Sequence, residues 1–316
     1  MPNVINSATL AMFADDSKCY RITNNDADFS KLQQDLFSLT TWSLSNELYF
    51  QPSKCSILRI SRKRISPYRS YSINGINVEV ASTEKDLGVV IANDTSWKDH
   101  ILMIVAKANR LLGFIRSCAG IVGSVALLRL YCSLVRSHFC YCSQLWAPQS
   151  VISNLFLVEK VQRRATRFIL KNSGNLSYKV RLIKLKLLPL NYWLEYLHLV
   201  SFFKYLHGHV DLTRSLIYYF SFVSSQTRQA CSGLSLKINN NRTSTFRDYY
   251  FNRIAILWNN IPNDVRLAES IDSFKHKLKS LYFKRLFNVF DGDNFRIFKI
   301  ICPKCRRVNT LTACTC

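Results

Sequence analysis

Two adjacent carboxylates, Asp15 and Asp16, are the residues of this 316-residue chain best placed by type and spacing to do chemistry. They stand in Phe13-Ala14-Asp15-Asp16, between Ala8-Thr9-Leu10-Ala11-Met12 and Cys19-Tyr20-Arg21-Ile22. Strand-like runs on either side of a tight Asp15-Asp16-Ser17 turn predict a β-hairpin with paired carboxylates at its tip. Such a pair can hold Mg²⁺, which prefers oxygen ligands and usually takes one or two protein carboxylates together with substrate phosphates. That is phosphoryl-transfer chemistry of the kind a polymerase performs. The plainer reading is a solvated turn, since Asp suits turns in any protein.

The elements that must position this turn come next along the chain. Phe29, Leu32, Leu36 and Leu39 recur at helical spacing, with Trp42 one turn on, after turn-forming Asn24-Asn25-Asp26. Leu48-Tyr49-Phe50-Gln51-Pro52-Ser53-Lys54-Cys55 is the next segment, and Ile73-Asn74-Gly75-Ile76 is a strong two-residue hairpin signal. Glu84-Lys85-Asp86-Leu87-Gly88-Val89-Val90-Ile91 reads as a strand. Arg59, Arg62, Lys63 and Arg64 form a basic cluster after the strand-like segment 55–60, either a loop facing nucleic acid or a solvated turn.

Beyond residue 92 the periodicity is helical. Ile101, Val105, Ala108, Leu112 and Ile115 mark one amphipathic face; Val125, Leu128, Cys132, Val135 and Phe139 mark another. Between Leu155 and Lys171, Leu157, Val161, Ala165 and Phe168 make an apolar stripe and Lys160, Arg164, Arg167 and Lys171 a basic one. The basic stripe either tracks a phosphate backbone or is a solvated outer face. After a Ser-rich stretch, helices are expected over Phe246–Asn260 and Ser270–Phe287. Cys302-Pro303-Lys304-Cys305 has zinc-knuckle spacing, and Cys314-Thr315-Cys316 could complete a four-thiolate Zn²⁺ site. The second pair has only one intervening residue, so a plain cysteine-containing tail is the alternative.

Taken in order, these segments resemble the reverse transcriptases of non-LTR (LINE-like, jockey/CR1-type) retrotransposons. Phe13-Ala14-Asp15-Asp16 resembles the family's F/Y-A-D-D motif, Leu48–Cys55 its N-P-x-K-C/T segment, and Glu84–Ile91 its K-x-L-G strand. Ser133-Leu134-Val135-Arg136, Tyr141-Cys142-Ser143-Gln144-Leu145-Trp146, Glu159-Lys160-Val161-Gln162-Arg163-Arg164-Ala165 and Leu257-Trp258-Asn259-Asn260-Ile261-Pro262 are similar to segments of the same elements' C-terminal region. The resemblance spans nearly the whole chain. It implies Asp15 as a direct Mg²⁺ ligand and Asp16 as its support. Phe13 would lie under the primer end, Lys54 near the incoming nucleotide's phosphates, and Leu87 and Gly88 in the primer-grip strand. RNA template and DNA primer are the implied partners.

A two-metal site draws acidic ligands from more than one place, and no Asp or Glu occurs in Met1–Ala14. The expectation is therefore the C-terminal part of an RNA-directed DNA polymerase, without fingers or first catalytic Asp, and inactive alone. The alternative is a non-catalytic basic nucleic-acid-binding protein. The expected fold is α+β, with a partial polymerase palm over 1–91, a helical thumb or connection over 92–210, and a C-terminal helical region over 211–316.

Composition agrees. Lys and Arg number 43 against 20 Asp and Glu, a formal +23, which predicts a polyanionic partner. The longest apolar tract, near Ala119–Leu128, is too short for a membrane span of about 20 residues. With no signal-peptide pattern, an intracellular setting is expected, nuclear and/or cytoplasmic. The eleven cysteines then read mostly as free thiols, with Cys19, Cys55, Cys118, Cys132, Cys140, Cys142 and Cys231 as small core residues. His138 reads as a core or surface residue, and His207-Gly208-His209 as a helix end. No nucleophile triad, glycine-rich phosphate loop or dinucleotide fingerprint is present, which argues against hydrolase, kinase and dehydrogenase chemistry.

Overall fold

Short strands pair in the N-terminal part of the chain, and helices dominate the remainder, giving a mixed α+β protein. The structure is a computed structural model that describes residues 2–61, 69–117, 120–147, 152–171, 174–210, 235–238, 243, 246, 249–288, 300–301 and 308–309. The chain forms two compact units, Met1–Ser96 and Trp97–Cys316.

In the first unit, β1 (Thr9–Phe13) and β2 (Asp16–Tyr20) pair antiparallel, from Thr9↔Tyr20 to Phe13↔Asp16. Helix α1 (Asp26–Ser45) starts where the Asn-rich turn predicts. The Asn25 side chain accepts from the Asp28 N–H at 2.9 Å, and the Asp28 carboxylate accepts from the Asn24 N–H at 3.0 Å. Donors orphaned at the helix start are thereby satisfied. Buried Asp35 of α1 accepts from the N–H groups of Asn6 (3.0 Å), Ser7 (3.1 Å) and Ala8 (2.7 Å) and from the Ser7 hydroxyl. One carboxylate thus fixes the chain as it enters β1.

Four further short pairings complete this unit and the tail. β3 (Ser56–Leu58) runs parallel to β6 (Glu79–Ala81), while β4 (Ser72–Ile73) and β5 (Ile76–Asn77) form the predicted hairpin. Asn74 (φ 53°) and Gly75 (φ 74°) are both left-handed, the signature of a type I′ turn. β7 (Thr83–Asp86) and β8 (Val89–Ala92) form another hairpin. β9 (Ile300–Ile301) and β10 (Val308–Asn309) pair antiparallel near the C-terminus.

The second unit is built from α2 (Lys98–Ser117), α3 (Ser124–Leu130), α4 (Ser137–Cys140), α5 (Ser143–Trp146), α6 (Ile152–Ile169), α7 (Tyr178–Lys184), α8 (Leu190–Leu206), α9 (Tyr250–Asn259), α10 (Asn263–Arg266) and α11 (Ile271–Asn288). Its core joins Ile101, Ala108 and Ile115 of α2 to Val161 and Ala165 of α6, Leu199 and Phe202 of α8, and Trp258 and Phe274 of α9 and α11. Phe202 meets Trp258 edge-on at 5.2 Å, a favourable ring geometry. Helix α8 ends at Leu206, where Gly208 (φ 68°) takes the left-handed conformation that suits a helix stop.

One predicted apolar face is corrected. Leu127, Tyr131, Val135 and Phe139 are buried, whereas Val125 is 68% exposed. The reason is a π-helical stretch, Tyr131–Arg136, between α3 and α4. Its hydrogen bonds to the fifth residue widen the turn, so side chains four apart stay in line. Cys19, Cys55, Cys132, Cys140 and Cys142 are free and half-buried rather than fully in the core; Cys118 and Cys231 lie outside the described residues. No helix among the described residues is long and apolar enough to cross a membrane.

Candidate functional site

The carboxylate pair sits on the β1–β2 hairpin, but its turn is Ala14-Asp15 rather than Asp15-Asp16-Ser17. The Phe13↔Asp16 pairing leaves only two loop residues and makes Asp16 the first residue of β2. Ala14 has φ 52° while Asp15 is not left-handed. A left-handed first loop residue followed by an ordinary one marks a type II′ turn, a position that favours glycine. Phe13, Asp15 and Asp16 are all solvent-exposed.

Asp16 and Lys18 alternate onto one face of β2. The Lys18 ammonium is ion-paired to the Asp86 carboxylate at the end of β7. This contact sets the turn after Asp86 beside the acidic hairpin. Leu87 (φ 46°) and Gly88 (φ 84°) form that turn, rather than lying within a strand as the sequence pattern suggests. The expected primer-grip pair and the acidic hairpin are therefore joined through one ion pair, within one unit.

Lys54 ends a 3₁₀ turn, Pro52–Lys54, with its N–H donated to the Gln51 carbonyl at 3.0 Å. Its side chain is exposed, and no described contact brings it to Asp15 or Asp16. Arg62, Lys63 and Arg64, and the cysteines Cys302, Cys305, Cys314 and Cys316, lie outside the described residues. Among the described residues no group of three or more His, Cys, Asp or Glu side chains gathers as a metal site. The exposed Asp15-Asp16 pair fits a Mg²⁺ ion that completes its shell with water or phosphate oxygens. By itself it does not make a two-metal cradle.

In the helical unit, Lys160, Arg164 and Arg167 of α6 are exposed; Lys171 is exposed too, but it lies beyond the helix end at Ile169 with φ 42°, off the predicted stripe. The opposite face of α6 buries Val158, Val161, Ala165 and Ile169, with Leu157 and Phe168 only half-buried. Arg164 donates to the Asn109 side chain of α2 at 3.1 Å.

A set of buried polar residues escaped the sequence reading. Glu159 and Gln162 lie among the charges of the Glu159–Ala165 motif, yet are 3% and 0% exposed. Glu159 accepts from the Tyr178 hydroxyl and from the Leu190 N–H at 2.8 Å. Gln162 donates to the Leu188 carbonyl at 3.0 Å and accepts from the Tyr131 hydroxyl at 2.9 Å. Burial pushes the Glu159 carboxyl above its ordinary range, opposed by the hydrogen bonds from Tyr178 and Leu190. The one available signal is that both residues fall on the apolar side of the α6 wheel.

Comparison with family models, curated proteins and solved structures finds no match. Function must therefore be read from these residues and their placement. The chemical capacity of the first unit is an exposed carboxylate pair on a strained turn; that of the second is a basic helical face.

Proposed function

We propose that this chain is the C-terminal part of an RNA-directed DNA polymerase of the LINE-like, non-LTR type, whose complete active site includes the Asp15-Asp16 hairpin. The observation that carries this reading is the Phe13-Ala14-Asp15-Asp16 motif on a two-residue hairpin, with left-handed Ala14 before Asp15 and the Leu87-Gly88 turn held beside it by Lys18 and Asp86. Strained turns that persist in a fold cluster at functional sites.

Asp15 and Asp16 would hold Mg²⁺, which when bound supplies Lewis-acid stabilisation of charge on the transferring phosphate. Phe13, 66% exposed at the end of β1, offers an apolar ring against which the primer terminus can rest. Lys54 supplies a cation for nucleotide phosphates. The Leu87-Gly88 turn supports the primer strand. A two-metal site needs a further carboxylate beside this pair. RNA template and DNA primer are the chain's partners, in the nucleus and/or cytoplasm.

Mn²⁺, a paramagnetic substitute for Mg²⁺, tests the proposal. It should broaden the amide signals of 13–17 selectively, and Asp15→Ala should abolish the effect. Any primer extension with Mg²⁺ should depend on Asp15. Broadening indifferent to Asp15, or extension that survives Asp15→Ala, would sink the assignment.

A further inference from the structure

We infer that the outer face of α1 pairs with the same face of a second copy of this chain, two-fold and antiparallel, through Gln34, Phe37, Thr41 and Leu44. The pairing needs neither the metal chemistry of the hairpin nor a nucleic acid.

Helix α1 is apolar on more than the side it buries. Asp35, Leu39, Thr40 and Ser43 are buried on one side, where Asp35 holds the chain entering β1. On the other side Ser30, Gln34, Phe37, Thr41 and Leu44 are all exposed, Phe37 by 68% and Leu44 by 52%. Their spacing alternates four and three residues, the 3.5-residue period of a coiled-coil seam. Asp35 is the one charged residue from Leu32 to Asn46, and it is buried, so no exposed charge interrupts the strip. A solvated helix face carries charged and polar side chains instead.

Covering the strip leaves its hydroxyls paired. The Ser30 hydroxyl donates to the Asp26 carbonyl at 3.2 Å, and the Thr41 hydroxyl to the Phe37 carbonyl at 3.1 Å. Neither would be stranded by the loss of water, so the desolvation cost of burying them is small.

The strip is complementary to itself, which selects a second copy over an arbitrary partner. Turned end over end about the level of Leu39, it sets Gln34 of one copy beside Leu44 of the other, and Phe37 beside Thr41. A two-fold interface has this reciprocity, each residue meeting the one that meets it in return. The charges agree with an antiparallel arrangement. Asp26 and Asp28, at the start of α1, are ion-paired to Arg69 (2.8 Å) and Arg21 (2.9 Å), so Lys31 leaves that end positive, while Glu47 follows the other end. Antiparallel pairing brings Lys31 of one copy to the end that carries Glu47 of the other and opposes the two helix dipoles. Met1–Ser96 as a whole contains ten Lys and Arg against ten Asp and Glu, so the +23 of the chain lies outside the unit that pairs.

Ser30 to Leu44 spans about 21 Å at 1.5 Å per residue, and exposed Leu48 and Tyr49 extend the apolar surface past the helix end. One helix a side is less than the about 800 Å² per partner of a standard interface. A weak, reversible dimer is therefore expected.

The test is sedimentation velocity of the nuclease-treated full chain in 0.3 M KCl, from 2 to 200 μM, where monomer should give way to dimer. Phe37→Lys with Thr41→Lys, and Phe37→Glu with Thr41→Glu, should each weaken association tenfold or more. An equimolar mixture of these two variants should recover it, since each introduced cation then lies against an introduced carboxylate. A chain carrying Phe37→Lys with Thr41→Glu should dimerise more tightly than either like-charge variant, because antiparallel pairing sets position 37 against position 41. Ile76→Lys, at another exposed apolar position of the same unit, should leave association unchanged. The inference is overturned if the chain stays monomeric throughout, as it would were the face covered by a different protein, if the α1 variants associate as the unaltered chain does, or if mixing recovers nothing. Circular dichroism confirms that the variants keep their helices.

Discussion

Nε2 of His198 lies 3.1 Å from Oγ of Ser143, and the two residues are 2% and 0% exposed. The pair links α8 to α5, and the imidazole meets the Tyr250 ring of α9 edge-on at 6.1 Å. Burial holds its pKa well below the ordinary 6.5, and the nearby Arg253 guanidinium lowers it further, against a smaller opposing effect of a hydrogen bond to the Ser143 backbone.

Stability should therefore depend on pH with a definite sign. Above about pH 6.5 His198 is neutral in both folded and unfolded chains, and its contribution is fully present. As pH falls below that value the unfolded chain takes up a proton that the folded one refuses, so stability drops. The slope from this one group reaches at most about 1.4 kcal/mol per pH unit. Urea denaturation at pH 7.5, 6.5 and 5.5 should show the decline, with a shallower one in His198→Gln. Parallel curves would exclude His198 as the cause.

Glu159 should prove costly to remove. Glu159→Leu strands the Leu190 N–H and the Tyr178 hydroxyl, both buried, and should destabilise the helical unit by about 3 to 5 kcal/mol. Glu159→Gln keeps the shape and one acceptor oxygen and should cost less. The pH trend opposes that of His198: a raised carboxyl pKa contributes stability that is complete below about 4.5 and is lost as pH rises through the folded value. Thermal melts of the two variants at pH 7 should rank in that order; equal melting temperatures would show that the network contributes little.

The same residues show how far the sequence was legible. Local signals were read correctly: the Asn24-Asn25-Asp26 turn before α1, the Asn74-Gly75 hairpin and the helix end at His207-Gly208-His209 each depend on a few neighbouring residues. Glu159 and Gln162 were not legible, because a Glu beside Lys and Arg looks solvated and its partners Tyr178 and Leu190 are 19 and 31 residues away. The Val125 face failed because π winding in Tyr131–Arg136 breaks the 3.6-residue period. At the candidate site the motif was readable, but the turn slipped by one residue and Leu87-Gly88 moved from strand to turn. Strand register fixes both, and pairing is not a local property.

Asp35 should control the hairpin at a distance. Burial opposes ionisation of Asp35, yet hydrogen bonds from Ser7, Asn6 and Ala8 hold its pKa below the ordinary value of 3.8. Its contribution is therefore present above about pH 3.8 and is lost as pH falls through the folded value. Asp35→Asn replaces one acceptor oxygen by an NH₂ donor, stranding either the Asn6 N–H or the Ser7 and Ala8 N–H groups, and should cost about 1 to 3 kcal/mol. Amide exchange across Thr9–Tyr20 should accelerate before the rest of the unit; unchanged protection would show that the hairpin is held by its own pairing alone.

Ala14 supplies the sharpest test of whether the turn carries strain. A left-handed L-residue costs about 1 to 2 kcal/mol, and at φ 52° Ala14 bears that cost where glycine would not. Ala14→Gly relieves it but adds about 0.4 to 1 kcal/mol of unfolded-state entropy. The net expectation is a gain of about 0.5 to 1 kcal/mol, read by urea denaturation. Ala14→Val, with a branched Cβ, should lose at least about 1 kcal/mol at the same position. If Ala14→Gly stabilises the fold but weakens the Asp15-dependent Mn²⁺ broadening, the methyl group is serving to hold the carboxylates in place at the expense of stability. If the glycine variant is less stable, the turn is relaxed, and strain no longer supports placing the active site there.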